Sequence, residues 1–412
     1  MSKVDQKLEF PKGFLWGTAT AAHQIEGDNF NNDWWQWEQD GHVKEKSGKA
    51  CDSWNRWKED IDLAKSLNNN AYRFSIEWSR IEPEEGKFDL FALKHYENQI
   101  KYLHKLGMKA VLTLWHFTLP RWFTNKGGFT KRKNLVLFER YVNYILDNLE
   151  VHPDIWVVMN EPNTYIGRSF LNGDWPPGYT SKLFLPILTM NLTLVGRRIY
   201  KLIHNKIRDA VVGNCFHFVC FEYFGRNPLF KIAQRGLNIL NNELSVIFSK
   251  SWSDFIGVNY YIVHIISLYD FIPKKIFVNP QNEQKLMMGR KNDIGWNIYP
   301  QGIYKILKNL GRFHLPIFIT EVGVADKADL FRKNYISDIL EWVQAAIKEN
   351  IDIKGFFHWS LIDNFEWALG TLPKFGLFET DFTTFERKPR KSAKFYARVC
   401  KKNALEIMRA SS

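Results

Sequence analysis

Eight short apolar runs, rich in β-branched and aromatic residues, punctuate this chain, and helical patterns fill most of the gaps between them. The runs are Phe14–Thr20, Ala71–Trp78, Lys109–His116, Ile155–Glu161, Ala210–Phe218, Phe255–Tyr261, Leu315–Glu321 and Ile353–Leu361. Apolar runs of this length without polar alternation read as strands buried on both faces. Between them, Trp54, Trp57, Ile61 and Ala64 recur at helical spacing, as do Ile336, Ile339, Leu340, Val343 and Ile347. Amphipathic stretches also cover Ala92–Leu106, Leu135–Leu149, Phe184–Ile207, Gly302–Leu310 and Ser392–Met408. Parallel strands need long crossovers, usually helical, so this alternation specifies an α/β chain with a parallel sheet. Eight such units closing on themselves form a (β/α)8 TIM barrel. The expected organisation is one catalytic barrel domain over residues 1–412, a length that suits a barrel with insertions.

Composition removes several alternatives. Aromatics make up 16% of the chain, which excludes intrinsic disorder. The cysteines (Cys51, Cys215, Cys220, Cys400) are scattered and form no CxxC pair, which argues against a disulfide scaffold or a zinc ribbon. Met1–Phe10 lacks the apolar core of a signal peptide, and no run is long enough to span a bilayer, so the expectation is a cytoplasmic protein without membrane insertion. The net charge of +12 raises the question of nucleic acid. The basic clusters, however, are short: Lys131-Arg132-Lys133, Lys274-Lys275 and Arg387-Lys388-Pro389-Arg390-Lys391. They read as solvated surface, and no nucleic-acid partner is expected. Homo-oligomerisation is left open.

The strand interiors are apolar, but their C-terminal ends turn polar. Gln24 follows the first run, His116 ends the third, Asn160-Glu161 the fourth, Asn259 and Tyr261 the sixth, and Glu321 the seventh. In a barrel these ends gather at one mouth, where active sites are built. Glu161 and Glu321 each terminate an apolar strand, and burying a carboxylate there is costly unless it is partnered or functional. Two carboxyls flanking a cleft suit glycoside hydrolysis. One gives a proton to the leaving oxygen; the other, ionised, attacks the anomeric carbon.

Five ordered motifs extend this reading. They are Phe14-Leu15-Trp16-Gly17-Thr18-Ala19-Thr20-Ala21-Ala22-His23-Gln24-Ile25-Glu26-Gly27, Tyr72-Arg73-Phe74-Ser75-Ile76-Glu77-Trp78-Ser79-Arg80, Asn160-Glu161-Pro162, Ile319-Thr320-Glu321 followed by Gly323, and Trp359-Ser360-Leu361 with Asp363-Asn364-Phe365-Glu366-Trp367. Together they resemble the family 1 β-glycosidases, the β-glucosidase and β-galactosidase family, from Phe10 to about Cys400. The resemblance implies Glu161 as general acid/base and Glu321 as nucleophile of a retaining mechanism, with carboxyls about 5–5.5 Å apart. It implies that Arg73, Asn259 and Tyr261 support the nucleophile, Arg73 by lowering its pKa. It implies that Gln24, His116, Asn160 and Glu366 hold sugar hydroxyls, and that Trp359, Trp367 and Phe375 line the sugar. The implied substrate is a small or oligosaccharide β-glycoside, and the chemistry needs no metal or organic cofactor.

The chain departs from the family pattern at Val322, Val158, Phe117 and Thr118, where Asn, Thr, Trp and Asp are usual. These changes are expected to alter the support of the site rather than its chemistry. A 6-phosphoglycoside specificity is disfavoured because an anionic Glu366 would repel the phosphate. A non-catalytic klotho-like role is disfavoured because both glutamates are retained. Ile262–Lys291 is expected to form a loop at the mouth, bordering the aglycone.

Overall fold

The computed structural model describes residues 6–223, 228–266 and 290–407. Its centre is a closed barrel of eight strands: β1 (Leu15–Ala19), β2 (Ala71–Ser75), β3 (Lys109–Thr113), β4 (Ile155–Asn160), β5 (Val211–Tyr223), β6 (Phe255–Ile266), β7 (Ile317–Val322) and β8 (Ile353–Trp359). Every pairing is parallel, and β8 closes the ring by pairing Gly355–Trp359 with Leu15–Ala19. The chain is therefore a TIM barrel. β2, β4 and β7 are buried along their whole length, which is why they carry no polar alternation.

Two apolar bodies hold the fold. The barrel interior is filled by residues such as Val111, Val157, Cys215, Phe255, Phe318 and Phe357. The larger body lies between the strands and the helices that cover them. The helix Leu90–Lys105 is representative. Asp89 caps it by accepting the Ala92 amide, and Leu93, Tyr96, Ile100 and Leu103 supply its buried stripe.

Element boundaries differ from the sequence reading where the chain leaves the barrel. The second strand stops at Ser75, because Glu77 accepts the Ser79 amide and starts a short helix at Trp78. The third stops at Thr113, short of His116. β5 and β6 run longer than expected and stay paired out to Tyr223 and Ile266. Residues 267–289, most of the expected mouth loop, and Lys274-Lys275 with them, lie outside the described residues. Beyond β5, the helices Pro228–Asn238 and Leu244–Ser249 had no counterpart in the sequence reading. The C-terminal helix ends at Lys402 rather than Met408: Asn403 turns left-handed, and Ala404–Ile407 forms a strand against Gln6–Glu9.

The basic run Arg387–Lys391 is not simply solvated. Arg387 is buried against Asp60 at 3.0 Å, and Arg390 against Asp363 at 2.8 Å. All four cysteines are buried and unbridged. Among the described residues, no helix is long and apolar enough to cross a membrane.

Candidate active site

β4 and β7 deliver the two carboxylates. Glu161 follows the last residue of β4 and takes a left-handed conformation (φ 44°, ψ 56°), after which Pro162 opens the helix Pro162–Ile166. A non-glycine residue held there stores strain of about 1–3 kcal/mol and is found where the surroundings fix it. The Glu161 amide donates to the Cys215 carbonyl at 2.7 Å, tying the turn to β5. Glu321 lies next to last in β7. Two residues on, a Cβ on Gly323 would sit 1.8 Å from the Trp359 carbonyl oxygen, so only glycine lets β7 and β8 approach here.

One hydrogen-bonded network joins both carboxylates. Arg73 on β2 is fully buried and bonds Glu321 Oε1 through Nη1 and Asn160 Oδ1 through Nη2, the latter at 2.6 Å. Tyr261 Oη donates to Glu321 Oε2 at 2.8 Å. Asn259, implied as support for Glu321, lies beside it in the register of β6 and β7, but its amide donates to Glu161 Oε1 at 2.7 Å and to Asn160 Oδ1 at 3.1 Å. Its side chain is oriented by Thr320, whose hydroxyl donates to Asn259 Oδ1 at 2.6 Å. The two carboxylates thus have different partners. Glu321 holds a cation and a phenol, while Glu161 accepts a neutral amide.

Asn160 has its oxygen taken by Arg73 and Asn259, so its Nδ2 faces His116 Nε2 at 3.1 Å. Burial, with the nearby Arg73 charge, keeps the His116 imidazole neutral. Its Nε2 accepts from Asn160, so the proton sits on Nδ1. That Nδ1 is buried without a partner among the described residues, as is Gln24 Oε1. Leaving such groups unpaired costs about 1–3 kcal/mol each, and hydroxyl groups of a ligand would satisfy them.

Electrostatics departs from the sequence reading in one respect. Arg73 was expected to hold Glu321 low, but burial outweighs it and pushes Glu321 up to about 7. Burial raises Glu161 as well. Coupled carboxyls share their protons, so partners decide where the charge rests. With Arg73 and Tyr261 both donating to it, Glu321 is the better site for the negative charge. Glu366 is pushed up to about 8 by burial and by Glu321. It is therefore largely neutral at pH 7, and the repulsion invoked against a phosphate is weaker than the sequence suggested.

β1 and β8 build the opposite wall. Gln24 Nε2 donates to Glu366 Oε2 at 3.2 Å, to Asn364 Oδ1 at 3.0 Å and to the Phe365 carbonyl at 2.9 Å. The Trp359 indole also donates to Glu366. Trp367, left-handed at φ 53°, stacks at 5.7 Å on His23, and its ring lies 6.3 Å from His116. Phe375 meets Tyr261 edge-on at 6.1 Å, closing the circle between β8 and β6.

This arrangement has known counterparts. The glycosyl hydrolase family 1 model matches residues 6–223 and 218–405. The chain belongs to glycosyl hydrolase family 1. It is a glycoside hydrolase on a TIM barrel. Beta-glucosidase A of Thermotoga maritima is 32% identical to it, over 97% of this chain and 99% of that one. A beta-galactosidase of Pyrococcus woesei is 29% identical, over 96% and 98% respectively. Among solved structures, the beta-glycosidase from Pyrococcus horikoshii superposes with a TM-score of 0.88 at 37% identity, covering 98% of this chain and 97% of that one. The Thermotoga maritima beta-glucosidase in complex with castanospermine gives 0.87 at 30% identity, covering 97% and 100%.

The departures from the pattern of family 1 are accommodated by packing. Phe117, left-handed at φ 72°, packs edge-on against Trp175 at 4.9 Å and Trp367 at 5.4 Å. Thr118 donates to Glu77 Oε2 at 2.8 Å. Val158 and Val322 are buried apolar residues. Sequence reasoning missed three residues that pack behind the site. His23 lay inside a quoted motif but was given no role; it bonds Glu38 at 3.1 Å beneath Trp367. Trp296 packs 6.2 Å from Tyr261 and 6.4 Å from Phe375, just beyond the Lys-rich stretch. His217 lies 6.2 Å from Tyr261, with burial lowering it to about 4. Its one sequence signal was a polar residue near the end of an apolar strand.

Proposed function

We propose that this family 1 glycoside hydrolase is a retaining β-glycosidase that cleaves terminal β-D-glucosides, and β-D-galactosides or fucosides, by double displacement. The observation that carries this reading is the unequal partnering of the two carboxylates. Glu321, bonded by Arg73 and Tyr261, is the nucleophile that forms the glycosyl–enzyme bond. Glu161, raised by burial and bonded by neutral groups, the Asn259 amide and the Thr164 hydroxyl, carries the proton to the leaving oxygen. In the second half-reaction it takes a proton from water, which releases the sugar with retained configuration.

Asn160, fixed by three partners, presents its amide to the 2-hydroxyl, a contact that tightens as the oxocarbenium-like state develops. Gln24 and Glu366 hold hydroxyls on the far edge of the ring, and His116 Nδ1–H donates to another. Trp359, Trp367 and Phe375 supply the apolar walls. The barrel over residues 1–412 acts as one catalytic domain. Names of the relatives, beta-glucosidase and beta-galactosidase, support a glycone of this class.

The test is hydrolysis of an aryl β-D-glucoside and an aryl β-D-galactoside by wild type and by Glu321→Ala. The variant should lose several orders of magnitude, and azide should restore part of the rate while yielding the α-glycosyl azide. A β-glycosyl azide, or full activity of the variant, would overturn the assignment.

A further inference from the structure

On the flank of the barrel beside β4 and β5, helix Phe184–Lys206 and the segment from Ile239 to Trp252 leave large apolar side chains in water. Leu183, Met190 and Leu240 are 78%, 65% and 65% exposed, and Ile187, Ile247 and Phe248 a little over 40% each. Leu183, Ile187 and Met190 recur at helical spacing, so they share one face. Two cavities that share Phe248 connect Leu240 with Met190. One of about 340 Å³ is lined by Leu171, Leu185, Leu240 and Phe248. The other, of about 270 Å³, is lined by Met190 and the same Phe248, together with Arg132 and Arg197. Isolated exposed apolar residues are ordinary, but exposed apolar side chains that meet around shared cavities mark a surface that is covered in use.

The charge around the patch says by what. Helix Phe184–Lys206 contains Arg197, Arg198, Lys201 and Lys206 and no acidic residue. Glu243, on the neighbouring π-helical turn, is buried and bonded to Arg235 and Arg312. Arg132 and Arg197 make no ion pair among the described residues, and Lys131, Lys133, Lys182 and Lys250 are exposed nearby in sequence. A second copy docked symmetrically on this face would set arginine against arginine. Arg198 and Lys206 are paired with Glu139 and Asp147, but an apolar face flanked by Arg132 and Arg197, free of ion pairs among the described residues, matches instead an interface that is apolar inside and anionic at its edge.

We propose that this face docks on the surface of an anionic lipid bilayer. The exposed side chains enter the acyl boundary while Arg132 and Arg197 meet headgroup phosphates. The contact is peripheral and leaves the barrel intact.

The test is co-sedimentation of the full-length protein with phosphatidylglycerol–phosphatidylcholine vesicles and with phosphatidylcholine vesicles. Three double variants are compared: Met190→Glu with Phe248→Glu, Arg132→Gln with Arg197→Gln, and Lys394→Gln with Lys401→Gln as a charge-matched control elsewhere. Hydrolysis of an aryl glycoside verifies that each is folded. The expected result is salt-sensitive binding to the anionic vesicles only, weakened by about tenfold or more in the first two variants and little changed in the third. No binding at low salt, or equal loss in all three variants, would overturn the proposal. So would concentration-dependent self-association that vanishes in Met190→Glu with Phe248→Glu, which would assign the face to a second copy of the chain.

Discussion

Glu366→Gln should make the protein more stable and less active, with a stability gain that grows with pH. Among the described residues no cation bonds Glu366; its partners are the Gln24 amide and the Trp359 indole. Burial and the neighbouring Glu321 raise it from 4.5 to about 8. The folded protein therefore holds a proton on Glu366 that the unfolded chain releases above about pH 4.5. Wherever the native state binds the extra proton, stability falls as pH rises. At pH 7 the shift costs about 3 kcal/mol relative to a neutral isostere, and nothing below about pH 4. Unfolding entropy scales with chain length, so for 412 residues this corresponds to a Tm gain of about 3–4 °C at pH 7. Scanning calorimetry of both proteins at fixed scan rate from pH 4 to 9 measures it. The Tm gap should be near zero at pH 4, open through pH 5–8 and level off above. A gap that is constant with pH, or that closes as pH rises, would refute the argument. The same variant should lose about two orders of magnitude in kcat/KM, because an amide cannot replace the carboxyl toward sugar hydroxyls.

Further expectations follow from the same network. Arg73→Gln leaves Glu321 buried beside Tyr261 alone, so kcat/KM should fall by roughly 10²–10⁴ and its acidic limb move to higher pH; an unmoved limb would separate Arg73 from the ionisation of Glu321. Asn259→Ala removes the donor to Glu161, which raises that group further and should shift the basic limb of kcat/KM upward, as read from a pH–rate profile. Gly323→Ala places a methyl group against the Trp359 carbonyl and should cost several kcal/mol, visible as lost soluble expression or a large drop in Tm.

Much of the barrel was legible because its strands are buried on both faces and therefore written as unbroken apolar runs. The same property blurred their ends. Ser75-Ile76-Glu77-Trp78 continues the apolar run of β2, yet Glu77 caps a helix there; hydropathy carries no information about where that side chain bonds. The C-terminal helix ran on in the sequence because Ala404 and Leu405 remain buried, but as a strand paired with the first described residues. That pairing joins opposite ends of the chain and leaves no local trace. At the site, residue identities were readable and allegiances were not. Asn259 sits one strand from Glu321 and two from Glu161, yet with its oxygen held by Thr320 its amide reaches Glu161. The ionisation of Glu321 depended on a competition between burial and Arg73, and the sequence showed only the cation.

The closure of β8 onto β1 also sets when the site can exist. Gln24 and Glu366, which touch, are separated by 342 residues, and Gln24 is held in place by the Phe365 carbonyl. A chain growing on the ribosome has made both central glutamates before it has made the wall they work against. Until the segment around Glu366 emerges, the Gln24 side chain lacks its acceptors Asn364, Phe365 and Glu366, so the nascent chain can hold no sugar. The long separation also makes this a slow closure to find. A ribosome-stalled series truncated on either side of Glu366 would acquire inhibitor binding in one step, at the length where the eighth strand clears the exit tunnel.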